Sequence, residues 1–396
     1  MDNYSVDRPG QRFYSSAMAL GMLLEHRLHQ DPHFYLFSPD ETTSNKFNQV
    51  YKSNARAWAM PQEKWDLPER KDGRIVEMLS ENTLFAAMLG HLMNGEQAMM
   101  TSYEAFFNII TAQIIQHIKF LEQAEPVKWR EAIPAVNLLS TSTCWRQDHN
   151  GFTHQSPALI SSLLNLPSKK VNCLFPVDDI ATTAAFNRMV TSENVVNLTT
   201  FNKNEMPRWI TNTQSEFQFE QGGVDIFAFA SDHDPDIILT AAGDIPSREA
   251  LYAIRIIKQD IPNIKLRFVN INSLSYNAIG TINNPLTQES FDHFFTKDKL
   301  ILANFHGYSN TLNQILSQYT DQKRLRVHGF SDQGTTTTPF EMLSLNQASS
   351  YHLAIDIANQ YGRNDLIIKY RDFINQNHAH AAEFGTDLSF ITNFTF

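Results

Sequence analysis

Residues 141–157 read TSTCWRQDHNGFTHQSP and follow AVNLL at 135–139, an apolar run of the kind that forms a buried strand. Arg146, Gln147, Asp148, His149, Asn150 and His154 fall within nine positions around an Asn-Gly turn. In open α/β sheets ligands bind beyond the carboxyl ends of the strands. A loop carrying two imidazoles, a guanidinium and two amides in that place suits a polyhydroxylated or phosphorylated substrate. A polar surface turn whose Asp and His bond the local backbone accounts for the same composition.

Outward from this loop the chain alternates strand-like and helix-like segments. Downstream, ALISSLLNL and DIATTAAFNRMV read as helices, KVNCLFPVD and VVNLTTF as strands. Upstream, residues 15–30 read as an amphipathic helix, HFYLFS at 33–38 as a strand and RIVEML from Arg74 as another. Asp40 and Glu41 with Thr42, Thr43 and Ser44 predict a helix N-terminus by capping chemistry. Ser80 caps a helix that stops at Asn94-Gly95, with Glu81 in its first turn facing the helix dipole. Ile109, Ile110, Ile114, Ile118 and Leu121 stand at helical spacing and read as core. The polar, turn-rich stretch 212–223 reads as a linker, and Gly243-Asp244 as a turn in which Asp244 caps the next helix.

The pattern defines an α/β protein with two open, mainly parallel-sheet domains in series. Its parts are a helical lead-in at 1–33, a first domain at 34–211, the linker at 212–223 and a second domain at 224–396. A length of 396 residues, at roughly 150 per domain, leaves ample core for both. A net charge of -10 with no basic run argues against a nucleic-acid partner. Cys144 and Cys173 cannot build a disulfide framework and fit a reducing cytoplasm. The start MDNYSVDRPGQRF lacks the basic opening of a signal peptide, and AMALGMLL is too short to span a bilayer. No export and no membrane insertion are expected. His378 and His380 lack the partner spacing of a zinc site, and no metal ligands are assigned in this chain.

Four stretches resemble the phosphoketolases, thiamine diphosphate enzymes of carbohydrate metabolism. These aldehyde-lyases cleave xylulose 5-phosphate or fructose 6-phosphate with inorganic phosphate to give acetyl phosphate and an aldose phosphate. The stretches are LFSPDETTSNK at 36–46, EMLSENT at 77–83 with TSYEAF at 101–106, WRQDHNGFTHQ at 145–155, and VHGFSDQGTTTTPFEM at 327–342. The resemblance runs from about Phe34 to the C-terminus and covers about half of a full phosphoketolase. The two domains are then similar to the pyrimidine-binding and C-terminal domains of the transketolase superfamily. The N-terminal domain that holds the cofactor's diphosphate through magnesium has no counterpart.

What the resemblance implies is specific. Glu81 matches the glutamate that bonds the aminopyrimidine of thiamine diphosphate, and Tyr103 and Phe106 the aromatics beside it. His149, His154, Gln147 and Asn150 are implied in substrate, intermediate and inorganic phosphate contacts, and imidazoles suit the proton transfers. Ser44, Lys46, Arg130 and Lys203 match the sugar-phosphate ligands, with Lys46 replacing an arginine and losing its bidentate fork. Gly243-Asp244 with Asn270 and Asn272 mimics the diphosphate signature, but Ile245 stands where that signature needs glycine, which would keep the backbone off a diphosphate. The family implies a homodimer, or a complex with a diphosphate-domain or full-length phosphoketolase chain. Departures cluster near Glu81: Asn82 for histidine, Phe85 and Ala86 for glutamate and glycine, and Glu96-Gln97-Ala98 for a basic turn. They favour an alternative, a non-catalytic paralogue that acts as a binding or regulatory subunit.

Overall fold

The computed structural model describes residues 9–65, 69–147, 149–331 and 336–389. Asp148 and four residues of the 327–342 motif lie outside them. Sixteen strands in chain order build it: β1 Phe13–Ser15, β2 Tyr35–Ser38, β3 Ile75–Glu77, β4 Ala98–Tyr103, β5 Val136–Thr141, β6 Val171–Leu174, β7 Val196–Thr200, β8 Glu205–Pro207, β9 Val224–Ile226, β10 Ile237–Ala242, β11 Leu266–Ile271, β12 Ser273–Ser275, β13 Ala278–Thr281, β14 Asn284–Pro285, β15 Leu300–Tyr308 and β16 Leu325–Phe330.

Six parallel strands, in the order β3-β2-β4-β5-β7-β6, form the sheet of the first domain. Continuous burial of β4, β5 and β7 explains their apolar runs, because helices cover both faces. The second sheet, β16-β15-β10-β11-β9, is parallel except for its edge strand β9. The chain is therefore an α/β protein of two mainly parallel sheets. Among the described residues no helix is long and apolar enough to cross a membrane.

The order of the first sheet fixes where a ligand fits. From β2 the chain crosses to β3 on one side and then returns to β4 on the other. The loops after β2 and β4 thus diverge over a topological switch point and leave a crevice at the carboxyl ends.

Several local expectations fail for identifiable reasons. PDETTSNK opens no helix: it is a chain of turns in which Lys46 holds a left-handed φ of 64°, and only a short 3-10 helix begins at Asn48. Glu41 is drawn inward instead, its carboxylate accepting the Tyr103 N–H. The linker at 212–223 is mostly helix, Asn212–Glu220, started by a capping box between Thr211 and Gln214. Strands β12 to β14 leave the second half and extend the first sheet, antiparallel, beyond β6. Asp244 does not cap its helix. It is buried, and its oxygens accept from the N–H groups of Asn202 and Ile245. Ile109 is half exposed while Ile110, Ile114, Ile118 and Leu121 are core, because the helix Thr111–Ala124 begins two residues later.

Candidate active site

Five loops meet at the switch point. Tyr103 ends β4, and its backbone N–H donates to Glu41 Oε2 at 2.9 Å, joining the loop after β2 to the loop after β4. The Tyr103 hydroxyl donates to Ser44 Oγ at 2.9 Å. Its ring lies nearly parallel to Phe106, at 10° and 6.0 Å between centroids. His154, from the loop after β5, packs at 5.0 Å on the Phe106 ring and 6.1 Å from Tyr103. The Lys203 ammonium, from the loop after β7, sits 4.8 Å from the Tyr103 centroid on a cation–π contact. Glu81 opens the helix Glu81–Met93 after β3, with Oε1 3.4 Å from the Ser102 hydroxyl.

Two carboxyl groups share this crevice. Burial pushes the Glu41 carboxyl up to about 8, and the neighbouring Glu81 adds to the rise. The Tyr103 N–H, Asn45 and Lys203 act against it. At neutral pH Glu41 therefore holds a proton while it braces β4. Lys203 is shifted down by burial, with Lys46 adding to the fall and Glu41 opposing it. Sequence reading saw in Glu41 only a capping group. Its place three residues after the run LFS at 36–38 is the signal that points to the crevice, since a polar residue there lies just beyond a strand's carboxyl end.

The central loop is braced from within. Gln147 is buried, its side-chain N–H donating to the Ser142 carbonyl at 2.8 Å, and Gln155 reaches the Gln147 carbonyl at 3.0 Å. The Thr141 and Ser142 hydroxyls both donate to Asn45 Oδ1 at 3.1 Å, tying this loop to the Ser44–Lys46 turn. His149 and Asn150 are exposed at its tip.

Arg130 stands apart from the other candidates. It precedes β5, at the amino-terminal edge of the sheet, beside a cavity of about 380 Å³ lined also by Met93, His117 and Trp129. Its charge helps to hold the buried His117 imidazole at about 4, after burial itself. The six residues of β5, at about 3.3 Å each, separate it from Thr141 and the crevice.

Most departures near Glu81 serve packing. Phe85 is fully buried in the core of the first domain. Glu96 pairs with His33 and His91, each at 3.0 Å, Gln97 accepts from Arg27, and Ala98 is buried at the start of β4, the edge away from the crevice. Only Asn82 and Ala86 are exposed beside Glu81.

Glu81, beside the residue before Tyr103, and the parallel rings of Tyr103 and Phe106 fit the aminopyrimidine half of thiamine diphosphate, whereas among the described residues the Gly243-Asp244 turn does not fit its diphosphate. Both Asp244 oxygens are occupied and Ile245 is fully buried. Among the described residues one buried group, Glu104, Cys144 and His306, places its donor atoms within 4.8 Å of one another. Both carboxylate oxygens of Glu104 already accept N–H groups, while the buried His306 Nδ1 has no hydrogen-bond partner.

Comparison with solved structures defines the class first. The transketolase of Campylobacter jejuni superposes with a TM-score of 0.66 at 12% identity, over 90% of this chain and 48% of that one. A Pichia stipitis transketolase complexed with sedoheptulose 7-phosphate gives 0.65 at 14%, over 90% and 47%. The fold is that of one half of a transketolase. The sequence family is narrower: the model of D-xylulose 5-phosphate/D-fructose 6-phosphate phosphoketolase matches residues 19–192, and that of its C-terminal domain residues 203–396. The chain belongs to the phosphoketolase family. Relatives include probable phosphoketolases of Thermosynechococcus vestitus, 32% identical over 97% of this chain and 49% of that one, and of Clostridium acetobutylicum, 33% over 99% and 51%. The chain spans about half the length of these curated relatives.

Proposed function

We propose that this chain supplies the pyrimidine half of a phosphoketolase active site, in which xylulose 5-phosphate or fructose 6-phosphate is cleaved by inorganic phosphate to acetyl phosphate and an aldose phosphate. The observation that carries it is the convergence of Glu41, Glu81, Tyr103, Phe106, His154 and Lys203 at one switch point. Thiamine diphosphate, when bound, supplies the carbon nucleophile for the ketose carbonyl. Glu81 hydrogen-bonds the aminopyrimidine nitrogen, and Tyr103 and Phe106 exclude water from its face. His154 moves protons to and from the substrate hydroxyls, with His149 and Asn150 reaching inorganic phosphate from the loop tip. Lys203, Lys46 and Ser44 hold the sugar phosphate, Lys203 fixed over Tyr103 and Ser44 by the tyrosine hydroxyl. Gln147, whose amide is spent on Ser142, positions the loop.

The diphosphate and its magnesium would be held by a domain outside this sequence, in a homodimer or a mixed complex in the cytoplasm. A chain described as an inactive β4 tetramer of a split-gene transketolase has the same fold, with a TM-score of 0.57 at 15% identity, over 88% of this chain and 98% of that one. The test is co-expression with a phosphoketolase diphosphate domain, co-purification, and assay of acetyl phosphate from xylulose 5-phosphate. Phosphate-dependent turnover that Glu81→Gln abolishes is expected. A stable complex without turnover refutes it, and supports the second reading, a non-catalytic subunit, which the exposed Asn82 and Ala86 beside Glu81 favour.

A further inference from the structure

The second domain meets the central loop at a buried imidazole. His306 lies near the carboxyl end of β15, is fully buried, and its Nε2 pairs with Glu104 Oε1 at 2.8 Å. Glu104 is the residue after Tyr103, and it too is buried. Its other oxygen accepts the Cys144 N–H at 2.7 Å, where the central loop leaves β5, and its own N–H donates to the Thr141 carbonyl at 2.9 Å. The Trp145 indole N–H returns to the His306 carbonyl at 2.9 Å, and the Trp145 ring meets Phe330 of β16 edge-on at 5.3 Å.

Little freedom is left to the imidazole. Gly243, at φ +111°, lies so close that a Cβ there would stand 2.9 Å from His306 Cβ. His306 thus holds the first turn of the loop twice, by its side chain through Glu104 and by its carbonyl on Trp145, and the residue that carries the Glu104 carboxylate directly follows Tyr103. Surface ion pairs contribute little, but this one is fully desolvated and both its carboxylate oxygens are engaged, so removing one partner strands a buried charge.

We propose that His306 is a positioning residue: through Glu104 and Trp145 it sets the loop bearing His149 and His154, and Tyr103 with it, so that the second domain governs the geometry of the crevice. The consequence for turnover rests on the phosphoketolase reading; the positional claim does not. A structural filler would loosen the second domain as a whole. A clasp loosens the loop.

Hydrogen–deuterium exchange on the chain alone separates the two, with no catalysis needed. In His306→Leu, amides of 141–155 should exchange about tenfold faster, as in a local opening, while the helix Ser16–Gln30 and strand β11 keep wild-type rates. His306→Gln, which retains a donor to Glu104, should return the loop to near wild-type protection. Glu104→Gln is the second variant should His306→Leu not fold, and should raise exchange in the same peptides. Unchanged loop exchange in the folded variants overturns the proposal. So does acceleration spread evenly over β10, β11 and β15, or failure of glutamine to restore the loop.

Discussion

Glu41 makes the stability of this fold fall as the solution turns alkaline, and a single substitution isolates the effect. Its carboxyl stands at about 8 in the folded chain against an ordinary value of 4.5, raised by burial and by Glu81. The folded state therefore binds this proton more tightly than the unfolded state does. The stabilisation is fully present below pH 4.5 and is lost as pH rises to about 8. At 1.36 kcal/mol per unit, the loss between pH 5 and pH 8 comes to about 3 to 4 kcal/mol. Glu41→Gln keeps an oxygen for the Tyr103 N–H and removes the titration. Urea unfolding of both proteins at pH 5, 6, 7 and 8 should show the variant gaining on the wild type by that amount across the series. Other groups that titrate in this range, Asp178 at about 7 and Asp225 at about 6, cancel in the difference. A gain below about 1 kcal/mol, the scale of an exposed charge pair, would refute the reasoning and place Glu41 in water.

Three further outcomes follow from the same geometry. In an assembly that turns over, Lys203→Gln should raise KM for the sugar phosphate by about tenfold or more, the scale of one charge-assisted contact, whereas Arg130→Gln at the opposite edge should leave KM unchanged; steady-state kinetics decide. His117 sits at about 4, lowered by burial and then by Arg130, so its stabilisation is present above 6.5 and lost as pH falls to about 4. His117→Phe should hold about 2 to 3 kcal/mol more stability at pH 4 than the wild type, relative to pH 6.5, in chemical denaturation. Phe85→Glu, which restores the polar residue of the family pattern, should cost more than about 3 kcal/mol, because Phe85 is fully buried. Wild-type stability in that variant would show that the side chain faces solvent.

What the sequence made legible were the features set by periodicity and by caps. The helix Ser16–Gln30 follows Ser15, which caps it, and Glu81–Met93 follows Ser80 and stops before Asn94-Gly95. The parallel strands stood out because burial on both faces leaves them without polar alternation. Arg130 could not be placed, since a charged residue a few positions before a strand looks in sequence like one a few positions after it. The two differ by the thickness of the sheet. Glu104 and His306 were invisible for another reason: their meaning is a contact across 202 positions, and a lone Glu and a lone His carry no local pattern. Strands β12 to β14 escaped because antiparallel additions at a sheet edge are short and mixed in composition.

The division of labour in the proposed site follows from where acidic groups are free. The aminopyrimidine side has Glu81 at a helix N-terminus, next to Glu41, whose proton spares the crevice a second negative charge at neutral pH. Among the described residues Asp244 is the aspartate that the sequence pattern would offer to a metal. Asp244 is sealed by Asn202 and Ile245, and exposing it would break two backbone hydrogen bonds in a buried place. In the proposed assembly the partner domain brings both the metal and its carboxylate ligand and leaves Glu81 in place. The prediction is directional: Asp244→Asn should leave metal dependence of the reconstituted reaction unaltered while lowering the Tm of this chain, because one acceptor becomes a donor against an N–H. A shift in the magnesium requirement on that substitution, with Tm unchanged, would mean that the residue opens toward the cofactor and that the second domain contributes to the diphosphate site after all.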